Sequence, residues 1–202
     1  MREQRVFFWI LGYAGISVFW WVLWRSHPQI AAENHAMENF QVGCLLVGIL
    51  FLVGALRSTA DVASRVFFLG LILLYFTVVV LEVDTRKMDA SRWLVFVTNG
   101  TFRDLWLGSL WIIAALIFVR GKPYQILSRF YAWLSTAAGR LLLGSGVLWT
   151  VALIAEKQFH ASAFVEELLE CQASLLMAQS AWSTFLQVRV RDSSSRITER
   201  DR

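Results

Sequence analysis

Along the chain, apolar residues come in unbroken runs rather than at every third or fourth position. The segments 6–24, 40–56, 66–83, 103–119, 134–155 and 163–188 are dominated by Leu, Val, Ile, Phe, Ala, Gly and Trp, with short polar stretches between them. A helix crossing a hydrocarbon layer of ~30 Å needs about 20 mainly apolar residues. A membrane barrel would show alternating segments of ~10 residues instead. The pattern therefore predicts an all-α, polytopic membrane protein: a six-helix transmembrane bundle over 1–188. The polar remainder, 189–202, with its Ser193-Ser194-Ser195 run, reads as a disordered tail. The first run follows Arg2 and Arg5 but exceeds the roughly 7–15 residues of a signal-peptide core, so it reads as a retained anchor. Between the third and fourth runs, Trp93–Val97 is too short to span. With the turn signal Thr98-Asn99-Gly100 behind it, it reads as lying in the outer interface.

Composition sharpens the class. Hydrophobic residues make up 57% and charged residues 17% of the 202 positions, against about 45–50% and 25% in soluble domains. Two Pro and two Cys exclude a low-complexity chain and a disulfide scaffold. Cys44 and Cys171 sit far apart inside apolar runs, without the C-x-x-C spacing of a zinc or redox site. The net charge of +4 points to membrane topology and not to nucleic acid, because the basic residues are unevenly placed. With six spans and both termini cytoplasmic, only Arg25, Arg86, Lys87, Arg92, Arg103 and Lys157 of the 19 basic residues face outward. That is the positive-inside bias. The acids lean the other way, with Glu3, Asp61, Asp192, Glu199 and Asp201 inside and the rest outside. Trp20, Trp21 and Trp24 close the first run where indoles favour the headgroup zone. The bilayer is the expected partner, together with another membrane protein; nucleic acid is not.

Candidate chemistry gathers on the outward side. Glu82 and Asp84 stand where the third run ends, followed at once by Arg86 and Lys87, and Glu166, Glu167 and Glu170 open the sixth. On a helix Glu166 and Glu170 share a face, and Glu167 lies about 100° round. An uncompensated acid costs roughly 3 kcal/mol at mid-bilayer and less near the surface, so something must balance these groups. Three readings follow. The acids cap helix N-termini and pair with nearby cations. Alternatively Glu82, Asp84, His160 and one or two glutamates of the sixth run form an acid–base site or hold a divalent metal, the metal candidates being His160, Glu82 and Glu167. Or the acids open an ion path continued by Gln172, Ser174, Gln179, Ser180, Ser183 and Thr184. Arg140 is the one charge inside the fifth run. It is either a boundary residue reaching the headgroups or a buried guanidinium needing an anionic partner.

The elements Glu82-Val83-Asp84-Thr85-Arg86-Lys87 and Glu166-Glu167-Leu168-Leu169-Glu170 resemble those of small uncharacterised bacterial inner-membrane proteins, which have an acidic E-x-D element before a basic residue and a late E-E-x-x-E. The resemblance covers the second half of the chain and implies a bacterial inner membrane without supplying a function. The expectation is a non-enzymatic membrane component with an outward acidic cluster. The alternatives are a metal- or acid-assisted enzyme acting on a lipid-linked or periplasmic substrate, and an ion or small-solute transporter. Whether the chain is an enzyme stays open, as does any cofactor beyond a possible divalent metal.

Overall fold

The computed structural model describes residues 2–31, 36–83, 91–159 and 163–200, and side chains at 9, 11–31, 36–83, 91–155, 157 and 163–190. In chain order the elements are α1 (Arg2–Ser26), a 3-10 turn (Pro28–Ala31), α2 (Ala36–Arg57), α3 (Val62–Glu82), α4 (Arg92–Thr98), α5 (Gly100–Arg120), α6 (Pro123–Leu134), α7 (Ala137–Phe159) and α8 (Ala163–Arg200). No strand occurs among the described residues, and the fold is all-helical.

Among the described residues, four helices and not six are long and apolar enough to cross a membrane: α2, α3, α5 and the Ala137–Ala155 part of α7. The expectation of a sixth span is corrected for a chemical reason. α8 holds Glu166, Glu167, Glu170, Gln172, Ser174 and Gln179. The expected 134–155 span also starts later, because the chain breaks at Ser135–Thr136 and α6 stands apart as a helix of its own. The segment expected as a disordered tail continues α8 to Arg200.

Apolar residues fill the core, as in a water-soluble bundle, but they also cover the exterior. Leu50, Ile112, Val119 and Val147 are well exposed, while Gln41, Ser145, Ser174, Ser180 and Thr184 are buried beside the apolar core. An exterior this apolar over so wide an area suits hydrocarbon. The buried face of α2 runs Glu38, Gln41, Leu45, Gly48, Leu52, Ala55, alternating steps of three and four, the seam of closely packed near-parallel helices. Its partner is α8, which also packs heavily on α7.

Paired positions set the directions. Gln41 meets Glu167, Gly48 approaches Ala178 and Gly54 approaches Phe185, so α2 and α8 run parallel. Ser180 donates to the Ala138 carbonyl at 2.7 Å and Gly144 faces Leu176, so α7 runs against α8. Tyr75 of α3 donates to the Met177 carbonyl at 2.6 Å. Tyr13 of α1 donates to Gln179 Oε1 at 2.6 Å, and Trp24 stacks on Phe164 with ring centroids 4.7 Å apart. Hence α1, α2, α3, α5, α7 and α8 alternate in direction. One end of the bundle, here the acidic end, gathers the starts of α2 and α8 and the ends of α1 and α3. The other, the basic end, gathers the 58–61 turn and α6.

Close approach requires glycine where three elements meet. A Cβ on Gly48 would lie 2.7 Å from the Tyr75 ring, and one on Gly54 2.8 Å from the Phe185 ring. The tightest position is Gly139 in the first turn of α7. There Thr136 donates its hydroxyl to the Trp133 carbonyl at 2.6 Å and accepts from the Gly139 N–H at 3.3 Å. A Cβ on Gly139 would fall 2.4 Å from the Trp133 oxygen and 2.4 Å from Leu134 Cα. Because backbone must move to admit a methyl, Gly139→Ala is expected to cost about 1–3 kcal/mol, read as a lowered thermal midpoint of the detergent-purified protein. Ser135→Ala, at an exposed position in the same turn, is expected to leave that midpoint close to the parent's.

Candidate functional site

Three helices bring acids to one end of the bundle. The α3 C-terminus delivers Glu82, the first turn of α2 delivers Glu38, and the first two turns of α8 deliver Glu166, Glu167 and Glu170. All five lie within electrostatic range: Glu82 feels Glu167, Glu38 and Glu166, and Glu170 feels Glu82, Glu167 and Glu166. Glu38 is 8% exposed and Glu170 9% exposed. The Gln41 amide, fully enclosed by α2 and α8, donates to Glu167 Oε2 at 2.7 Å. Helix periodicity explains the arrangement, since Glu38 and Gln41 occupy successive positions of the α2 seam while Glu167 and Glu170 occupy those of α8.

Of the residues singled out from the sequence, Glu82, Glu166, Glu167 and Glu170 thus come together. Asp84, Arg86, Lys87 and His160 lie outside the described residues. Glu38 and Gln41 had not been singled out. The usable signal was their three-residue spacing at the head of an apolar run, which puts both on one helix face. Among the described residues no group of three or more His, Cys, Asp or Glu is arranged to hold a metal ion. Cys44 and Cys171 are unpaired, and the buried Cys171 thiol points at the Met37 carbonyl at 3.6 Å.

Below the acids, the polar side chains of α8 line its contacts. Gln172 donates to Ser17 Oγ at 3.0 Å. Ser174 is wholly buried. Ser180 and Thr184 donate to backbone carbonyls, and Trp133 Nε1 donates to Thr184 Oγ1 at 3.0 Å. Trp133 and Thr136 then line a polar pocket of ≈ 480 Å³ at the basic end, with Asp61, Ser64, Arg129 and Gln187. A second, apolar groove of ≈ 360 Å³ opens sideways between α1, α2 and α8, around Tyr13, Phe51 and Trp182. Arg140 sits exposed in the first turn of α7, its Nε donating to the Thr136 carbonyl at 3.4 Å.

Comparison of the chain with family models, curated proteins and solved structures returned no match.

Asp61, at the mouth of the basic-end pocket, caps α3. Its Oδ2 accepts from the Ser64 hydroxyl at 2.7 Å and the Ser64 N–H at 3.0 Å, with Arg129 3.7 Å away. The Ser64 hydrogen bonds, aided by the Arg129 charge, hold its carboxyl below the ordinary carboxylate range. A carboxyl lowered in the folded state stabilises the fold above its unfolded value of ~3.9 and loses that contribution as pH falls through the folded value. Asp61→Ala is therefore expected to cost about 1 kcal/mol at neutral pH. The deficit should shrink below about pH 4, as read by thermal unfolding across pH.

Proposed function

We propose that the chain is a multi-pass protein of a bacterial inner membrane, with both ends cytoplasmic, that carries a cation along α8. The observation that supports this most is where α8 sits. It is clasped between α2 and α7, each long and apolar enough to cross a membrane, yet it buries Glu170, Ser174, Ser180 and Thr184 against them. Polar and ionisable groups at membrane depth are costly, and those facing a bundle interior mark ion routes. Here they run from five carboxylates at one end toward the Asp61–Arg129 pocket at the other. The uneven distribution of basic residues favours the acidic end as the outward one, and the alternating helix directions fit termini on a common side.

A second reading, a non-enzymatic component of a larger membrane complex, is favoured by α5. Its Ile112, Ile113, Leu116 and Val119 are all exposed and could receive another helix. The enzyme reading has less support, because the two pockets described lie away from the glutamate cluster.

Reconstituted in liposomes, the protein is expected to pass a cation down an imposed gradient above the rate of protein-free vesicles. Glu167→Gln, which keeps shape and removes charge, should slow that flux about tenfold or more, a change of ~1.4 kcal/mol. Flux equal to that of empty vesicles would sink the path reading. Reporter fusions at the two ends are expected to face the same compartment, and opposite locations would overturn the proposed topology.

A further inference from the structure

The pocket at the basic end carries more positive charge than the protein answers. Arg129 is part of its wall, with Asp61 3.7 Å away, too far for a hydrogen bond. Arg65 donates its Nε to the Thr59 carbonyl at 2.7 Å, and Arg140 donates its Nε to the Thr136 carbonyl at 3.4 Å. Thr59 and Thr136 are both wall residues, so three guanidiniums touch one cavity of ≈ 480 Å³. Their terminal N–H groups make no hydrogen bond among the described residues. Asp61 is the only carboxylate among the described side chains at this end, and its Oδ2 already accepts twice from Ser64.

A guanidinium presents a planar fork of donors that matches the oxygens of a phosphate group, and an excess of such forks over carboxylates calls for an anion. The rest of the pocket favours an amphiphile over a hydrated ion. Phe67, Phe68 and Trp133 of its wall are buried aromatics, with the Phe67 and Trp133 rings edge to face at 5.3 Å. The helix that brings Arg129 is itself two-faced: α6 buries Ile126 and Trp133 and exposes Tyr124, Leu127 and Tyr131 at helical spacing. Such a helix suits the boundary between hydrocarbon and headgroups, where a phenol keeps its ring in the one and its hydroxyl in the other. We infer that the pocket seats the headgroup of an anionic phospholipid from the leaflet at the basic end, its phosphate on Arg129 with Arg65 and Arg140 beside it. Asp61, held by Ser64, then competes with the lipid for Arg129. The inference rests on the bilayer reading but not on cation movement. A seated anion would also offset the guanidiniums at the mouth by which the proposed path leaves.

The test is native mass spectrometry of the delipidated full chain in detergent, titrated with dioleoyl-phosphatidylglycerol or dioleoyl-phosphatidylcholine. The expected result is one phosphatidylglycerol retained at concentrations where phosphatidylcholine is not. Arg129→Gln should weaken that binding about tenfold, the worth of one charge-assisted contact, and Arg129→Lys should restore only part of it, because the fork is lost. Arg120→Gln, at the end of α5 and outside the pocket wall, should leave it close to the parent's. Asp61→Asn keeps the helix cap and removes the competitor, so it should bind as tightly as the parent or tighter. If Arg129→Gln fails to accumulate, Arg140→Gln takes its place, with weaker binding again expected. The inference is overturned by equal retention of the two lipids, by unchanged binding in Arg129→Gln, or by an equal loss in Arg120→Gln. Weaker binding in Asp61→Asn, or displacement of the lipid by inorganic phosphate at equal concentration, overturns it too. A chain that stays monodisperse without detergent would end the bilayer reading, whereas one that needs detergent yet binds both lipids alike would end this inference alone.

Discussion

The structure depends on one packing constraint: a polar helix must lie against two apolar ones along most of its length. α8 meets this with small residues. Ala173, Ser174, Ala178, Ser180 and Ala181 present little bulk, and α2 and α7 answer with Gly48, Gly54, Ala138 and Gly144. Without water to compete, association between such helices rests on close van der Waals fit and on hydrogen bonds across the seam. The Tyr75, Ser180 and Trp133 donors supply those bonds, each fixing a different neighbour of α8 at a different depth.

That central position decides the character of the two ends. Because α2 and α8 run parallel, their N-termini lie side by side, and the acids of both helices are forced together with the one that closes α3. Five like charges in mutual range would be prohibitive in hydrocarbon. At helix starts the exposed N–H groups ease the cost for Glu38 and Glu166, and the Gln41 amide eases it for Glu167. The opposite end is built differently, from the Asp61 cap, Arg129 and the α6–α7 turn around Gly139. These leave an open polar pocket instead of a closed cluster. On the proposed reading the asymmetry is functional: an enclosed site where a cation is held, and an accessible one where it leaves.

α1 meets α8 through Tyr13 to Gln179, Gln172 to Ser17 and the Trp24–Phe164 stack, and its buried Trp20 packs on Phe40 of α2. The apolar groove beside Phe51 opens next to these contacts.

By itself the sequence determined the helical class and the uneven placement of basic residues along the chain, because run length and charge are local quantities. It also marked Glu82, Glu166, Glu167 and Glu170, whose spacing on their own helices is fixed by the 3.6-residue turn. Only the tertiary structure decided that these acids share a site, that Glu38 and Gln41 belong to it, and that α8 runs through the centre. Those facts depend on which faces of distant helices meet, and no single run encodes that. The same limit explains why α8 was expected as a lipid-facing span. Apolar runs measure what a helix could bury in lipid, whereas α8 is made for contact with protein, and its polar face has meaning only beside α2 and α7. Arg140 shows the converse: its placement turned on a break at Ser135–Thr136 that depends on Gly139 approaching the Trp133 carbonyl, a close contact invisible until the α6–α7 turn is built.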